Sequence, residues 1–484
     1  MNTWVKLLNR EFSLAFQAEV PYVNRTLVPK SIGVSIDNYW CENVTFGVYY
    51  KTRELKTLAE EIQKTIISDP TFPQHNISDC HTFGNILLAC SRVGTPNKLA
   101  SDTNFQLLKK LQTFRNAYLQ FLPYLVYPHA IERYFMEIIK TALKNHLHSS
   151  HHEQDFNRIY EILTTPTIHE IDEQIDLLTI AKHVRKDGWS PKNEKLLTSV
   201  TNKYTWQPLF SLTAKPLSNE YFKNAIQAYV DGKTNIQDEL HSIKHGQIQR
   251  KNDLSTTLKQ INAPKTLKSY VELLQGYMYL RTYRKNIIAK AHYLHLPLLI
   301  EIGERMGIGK DIMVLSYEEI LSYLQTGEAI ARTIIDKRRE AWAILSINGT
   351  LSIISGKSAV LKVAKRYHIE DVQKISAEKI VHGQSACLGK VIGKVRIIKN
   401  ISEFDTVHQD DILVTPMTTP DFVSLLQKVS AIVTDEGGVT CHAAIISREY
   451  HIPCIVGTGN ATKIFANGDL IEVDADLGTA KIIK

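Results

Sequence analysis

Over most of the first 325 residues, apolar positions recur at three- and four-residue steps, the spacing that lines one face of an α-helix. Helices are therefore predicted at Thr52–Ile67, Asn104–Leu122, Ile131–Leu147, Ile168–His183, Asn219–Val230, Thr266–His292 and Leu296–Met306. Ser316-Tyr317-Glu318-Glu319, ahead of Ile320-Leu321, has the spacing of a capping box and predicts the start of another.

Near residue 340 the pattern changes. Two β-rich runs, Ala341–Ile347 and Leu351–Ile354, flank Asn348-Gly349, a pair that tolerates the positive φ angles a type I′ turn demands. A hairpin is expected there, followed by a linking segment up to about Gly383. Beyond it come short β-rich runs with glycine punctuation: Lys390–Ile398, Ile412–Thr415, Ala431–Thr434, Cys454–Val456 and Leu470–Asp474. Helices are expected at Asp421–Val429 and Cys441–Tyr450. The fold class expected is multidomain α+β. Residues 1–335 would be a large, mainly helical domain, 336–382 the hairpin and linker, and 383–484 a compact β/α sandwich or barrel.

A chain of 484 residues exceeds what one core usually supports, which agrees with this division. Its 44% hydrophobic and 22% charged residues fit an ordinary soluble globular protein. No stretch has the apolar length of a membrane span, and Met1–Lys6 lacks the sections of a signal peptide. A cytoplasmic location with no membrane partner is expected. The six cysteines (41, 80, 90, 387, 441, 454) never form C-x-x-C, which argues against a zinc ribbon or a disulfide framework. The formal net charge of +7 is spread along the chain without a Lys/Arg block, so no nucleic-acid partner is expected.

One segment stands apart: Thr434-Asp435-Glu436-Gly437-Gly438-Val439-Thr440-Cys441-His442-Ala443-Ala444. A strand ending at Thr434, a glycine turn and a helix starting near His442 would place an imidazole among free backbone N–H groups at a positive dipole end. Such a terminus holds anions, and a neutral imidazole is a nucleophile that can take and release a phosphoryl group. By spacing alone, a helix-capping or core role for His442 is the stronger reading.

The wider pattern reverses that preference. Ile412-Leu413-Val414-Thr415-Pro416-Met417-Thr418-Thr419-Pro420-Asp421, then Ala431 to Ala444, then Ile445–Glu449 and Ile452-Pro453-Cys454-Ile455-Val456-Gly457-Thr458-Gly459-Asn460-Ala461-Thr462 resemble the swivelling phosphohistidine domain of PEP-utilizing enzymes. Phosphoenolpyruvate synthase, pyruvate phosphate dikinase and rifampicin phosphotransferase belong to that family. The resemblance covers about residues 383–484 and makes this region a β/α swivelling phosphohistidine domain. It implies that His442 accepts the phosphoryl group, that Gly437 and Gly438 shape its loop, and that Thr440 places a hydroxyl beside it. Thr440 also matches a regulatory phosphorylation position of the synthases. Cys441 is either a reactive thiol at a helix start or a small packing residue. Arg448 either contacts phosphate or sits on a solvated helix face.

Dikinase-type enzymes of this family phosphorylate the histidine with an ATP-grasp domain, whose glycine-rich and basic motifs are not found in residues 1–330. Gly356-Lys357-Ser358 is no P-loop: Leu351 stands where its first glycine belongs, and the segment follows a hairpin rather than opening a clear helix. Gly457-Thr458-Gly459 lies inside the swivel motif and is no dinucleotide fingerprint. No pyruvate-binding TIM barrel follows the swivel region before Lys484. Met306–Ile320 and Lys337-Arg338-Arg339 are similar to a stretch of rifampicin phosphotransferase, in which a helical part binds the acceptor. The resemblance therefore implies a phosphotransferase component. ATP and Mg²⁺ would act through a partner ATP-grasp subunit, as in phenylphosphate synthase, and the acceptor would be a small molecule in the helical domain. The alternative is a phosphocarrier or regulatory interaction protein without acceptor chemistry of its own.

Outside the motif, Arg281, Arg284 and Lys285 are candidates to clamp an anionic acceptor, against the alternative of a charged outer face. Tyr39-Trp40-Cys41-Glu42-Asn43 and the aromatic Phe121–Tyr134 stretch are candidates to line its pocket, against a core role. His146, His148, His151 and His152 are read as a solvated loop rather than a metal site, and no metal is expected.

Overall fold

The computed structural model describes residues 4–8, 14, 19–20, 23, 38–42, 47–150, 155–167, 171–210, 215–232, 235–347, 350–369, 380–399, 401–418, 422, 425–426, 428–437 and 442–483. The chain forms two compact units. The first comprises Met1–Glu170, Ser199–Ser218 and Ser242–Asp371, and the second Ile171–Thr198, Asn219–His241 and Val372–Lys484.

The first unit is organised around one helix of 41 residues, Lys265–Arg305. The periodicity suggests two helices here, broken before Leu296, yet Pro297 lies inside a single one. A proline removes one backbone donor and crowds the preceding turn. That cost is met because both flanks continue the same buried face, with His292 and His295 on one side and Leu298, Leu299 and Ile302 on the other. Helices Phe72–Cys90 and Pro123–Ser150 pack along it. Other predicted helices form close to their expected bounds, at Thr52–Ser68 and Asn104–Phe121 here and at Asn219–Asp231 in the second unit. Asp172–Asp187 begins four residues after the expected Ile168, which lies outside the described residues.

The capping box forms as its spacing demands. Ser316 Oγ accepts from the Glu319 amide, and Glu319 accepts from the Ser316 amide at 2.8 Å, opening the helix Tyr317–Thr326. Glu319 also receives both terminal nitrogens of buried Arg338 at 2.7 Å. Arg338 further donates to Val314 O and Ser355 Oγ, which ties helix Arg332–Glu340 to the strand beyond it.

The first unit also contains a five-stranded antiparallel sheet, which periodicity did not reveal. Strands β1 (Trp4–Leu8), β2 (Asn38–Glu42) and β3 (Gly47–Lys51) join the expected hairpin, β4 (Trp342–Ile347) and β5 (Thr350–Ser355), in the order β1-β3-β2-β4-β5. The hairpin register, Ile347 opposite Thr350, leaves two residues for the turn, and both lie outside the described residues. Central β4 is buried on both faces: Trp342 and Ile344 join the helical core, while Ala343 and Leu345 face the opposite way. The second face is covered by Val360 and Ala364 of a helix at Lys357–Arg366. The expected linker thus contains an amphipathic helix, and a helix does open after Gly356. Burying a valine-sized side chain contributes roughly 1.5–3 kcal/mol, so leaving this face of β4 bare would be costly.

The second unit is built on an eight-stranded mixed sheet. Its strands are β6 (Ile380–His382), β7 (Gln384–Cys387), β8 (Lys390–Ile397), β9 (Asp411–Thr415), β10 (Val429–Thr434), β11 (Cys454–Val456), β12 (Leu470–Asp474) and β13 (Thr479–Ile482). The order is β6-β13-β12-β8-β9-β10-β11-β7, with β8 to β11 mutually parallel. Alternation divides the core into two layers. Leu413, Ile432, Cys454 and Val456 face one layer, and Ile412, Val414, Ala431, Val433 and Ile455 the other. Four residues of the expected helix Asp421–Val429 lie outside the described residues, and its last residue opens β10.

Candidate functional site

The helix His442–Glu449 is the crossover between parallel neighbours β10 and β11. Ala443, Ala444, Ile446 and Ser447 are buried on its sheet side, where small residues let the helix lie close to Ile432 and Cys454. The start of this helix therefore follows the carboxyl end of β10, the end of a parallel sheet at which ligands are held. Gly438, Thr440 and Cys441 lie outside the described residues, and His442 is placed by its backbone as the first residue of the helix.

What the structure adds is the footing of this loop. Asp435, directly after β10, is buried at 4% exposure. Its carboxylate accepts the Thr462 amide at 3.0 Å, the Thr462 hydroxyl, and the Thr458 hydroxyl at 3.4 Å. Burial pushes the Asp435 carboxyl above its ordinary range, and the bonds from Thr462 and Thr458 oppose that shift. The backbone repeats the connection. Thr458 N donates to Thr434 O at 3.0 Å, Gly459 N to Asp435 O at 2.8 Å, and Asp435 N to Thr415 O at 3.1 Å. Gly437 and Gly457 both have positive φ, at 113° and 72°. A Cβ on Gly457 would stand 2.6 Å from Gly437 O, so only glycine allows the two loops to approach this closely. Asp435, Gly457, Thr458 and Thr462 lay inside the motif but received no role from it. Pattern along the chain carries no sign that residues 27 apart share a hydrogen bond.

The far end of the helix is closed by a Schellman arrangement. His451 adopts φ 53°, Ile452 N donates to Ser447 O at 2.8 Å, and His451 N to Arg448 O at 3.4 Å. Arg448 is half-buried and donates to Ala386 O at 3.3 Å, on β7. Next to it, the Tyr450 hydroxyl donates to Glu239 at 3.3 Å.

Arg281 and Arg284 have structural partners. Arg284 is 2% exposed, so it is not on an outer face, and it donates to Tyr124 O at 3.2 Å and to Leu125 O. Burial, with Arg281 nearby, brings its guanidinium down to about 10. Arg281 pairs with buried Glu132. Phe121, Tyr124 and Tyr127 are core residues, and Tyr39–Glu42 belong to β2. His146 is on the helix Pro123–Ser150 rather than in a loop, with Nε2 2.5 Å from Ile261 O, and His148 is on the same helix. His151 and His152 lie outside the described residues. An open cavity of about 410 Å³ is lined by Lys259, Lys268, Glu272 and Gln275 together with Thr167, Ser255 and the apolar Leu254, Leu258 and Val271. Among the described residues, no group of three or more His, Cys, Asp or Glu side chains is placed to hold a metal ion, and no helix is long and apolar enough to cross a membrane.

Residues 407–478 match the family described as PEP-utilising enzyme, mobile domain. A probable phosphoenolpyruvate synthase of Methanothermobacter thermautotrophicus is 39% identical over 165 residues, 34% of this chain and 23% of that protein. Phosphoenolpyruvate synthase of Pyrococcus furiosus is 37% identical over 184 residues, 37% of this chain and 22% of that protein. The matched stretches thus span less than a quarter of these relatives' length. An NMR solution structure of Enzyme I aligns with 66% of this chain and 84% of its own at 14% identity, with a TM-score of 0.17, too low for a fold assignment. Strand β10, the helix at His442 and strand β11 all fall within the stretch that matches the PEP-utilising enzyme mobile domain.

Proposed function

We propose that this chain is a phosphotransferase component in which His442 carries the phosphoryl group. The observation that supports this best is the coincidence of the family match at 407–478 with a crossover helix whose first residue is His442. An imidazole nitrogen of His442 attacks the donor phosphorus; the P–O bond breaks with its electron pair on the leaving group, and the imidazole gives up its proton. In the second step an acceptor oxygen attacks the same phosphorus and the P–N bond breaks, returning neutral His442. The resemblance gives Gly437 and Gly438 the shaping of the loop, Thr440 a hydroxyl beside the phosphate and Cys441 the part of a small residue, and the helix N-terminus stabilises the bound phosphate.

The donor in this reading is ATP with Mg²⁺, held by a separate ATP-grasp subunit, since residues 1–330 carry none of that domain's motifs. The acceptor is a small molecule in the first unit. The cavity lined by Lys259, Lys268, Glu272 and Gln275 suits it, because its volume falls in the range of a small-molecule site. Chain division follows from the same reading: 1–335 receives the acceptor and 383–484 carries the phosphate. The test is intact-mass analysis after incubation with ATP, Mg²⁺ and the ATP-grasp protein encoded nearest to this chain. Wild type should gain one acid-labile phosphate, and equal gain by His442→Ala would end the proposal.

A further inference from the structure

We propose that Asp435 is a positioning residue for His442, anchoring the loop before the histidine to the Gly457–Thr462 segment. This rests on the functional reading above. The carboxylate is 4% exposed, and among the described residues no cation pairs with it; its partners are the hydroxyls of Thr458 and Thr462 and the backbone amides of Thr462 and Ala461. A buried carboxylate without a cation is an expensive way to gain stability alone, because desolvation removes much of what the hydrogen bonds return. What the arrangement supplies is fixed geometry. The chain is held at Asp435 by both its side chain and its backbone, and again two residues later where Gly437 O lies against Gly457. The helix that begins at His442 starts five residues beyond Gly437. Thr458 and Thr462 complete the anchor from the other side.

Reaction rates depend steeply on such placement, and displacement of a reacting group by about 1 Å can cost roughly a hundredfold. The test uses the full chain and potassium phosphoramidate, a small donor that needs no partner subunit, and follows acid-labile phosphate by intact mass. Asp435→Asn and Thr462→Val should each load phosphate at least about tenfold more slowly than wild type, with Asp435→Asn the slower. Val473→Ala, a cavity in the core of the same unit, controls for lost stability and should load at the wild-type rate at equal loss of Tm. Wild-type loading by both site variants, or slowing no greater than that of Val473→Ala, would overturn the proposal. If Asp435→Asn does not fold, Thr462→Val against Val473→Ala decides. Failure of the functional reading looks different: His442→Ala would then load like wild type, whatever the other variants do.

Discussion

In the first unit the buried carboxylates face arginines. Glu19, 1% exposed, receives Arg115 at 2.8 and 3.2 Å, and Arg115 also reaches Glu318. Glu319 holds both arms of Arg338 while completing its capping box. In the second unit Asp435 meets only hydroxyls and backbone amides, and the chain next to it runs against another loop with no side chain between them. The contrast is one of tolerance. An arginine spans a gap with a long, adjustable stem, so helices tied by it can shift slightly and keep the bond. A short aspartate bonded to a neighbouring backbone cannot follow such a shift. A scaffold can be built the first way, whereas a loop that must hold a reacting histidine in place needs the second.

The largest effect expected on this comparison is at His442 itself. His442→Ala should retain the fold, because the helix is held by Ala443, Ala444 and Ile446, and should lose acid-labile phosphate completely. Mass spectrometry together with an unchanged melting curve checks both halves.

Glu19 sharpens the contrast through pH. Burial, partly opposed by Arg115 and reinforced by Glu318, raises its carboxyl from the ordinary 4.5 to about 7. Between these values the folded chain keeps a proton that the unfolded chain has released. The contribution is therefore full below about 4.5 and is lost as pH rises through about 7. The gap corresponds to on the order of 3 kcal/mol. Urea unfolding of the first unit should show this downward slope, and Glu19→Gln should flatten it; an unchanged slope would show that the Arg115 pair keeps Glu19 ionised.

Gly457→Ala probes the backbone approach. Its φ of 72° and the 2.6 Å clash with Gly437 O should together destabilise the second unit by about 1–3 kcal/mol and slow phosphate loading. A variant as stable and as fast as wild type would show that the loops can separate freely. Ser316→Ala should have the smallest effect, about 1 kcal/mol, because it removes one cap bond while Arg338 still holds Glu319. Calorimetry should find that loss in the first unit with phosphate loading unchanged.

Local pattern along the chain determined a good deal. Helical periodicity placed Thr52–Ser68 and Asn104–Phe121 within a residue, the capping box at Ser316 formed as spaced, and the expected hairpin formed as β4 and β5. The motif from Thr434 to Ala444 placed a helix start at His442. These are interactions between near neighbours, which is why spacing reports them. Tertiary structure alone decided the rest. Strand β2 finds its partner β4 some three hundred residues away, and Lys357–Arg366 became a helix because that sheet has a second face to cover. Arg284 was drawn into the core by the carbonyls of Tyr124 and Leu125. Asp435 acquired its partners only when the segment after β11 folded back beside β10. Contacts of this kind depend on which surfaces meet, and no repeat along the chain encodes that.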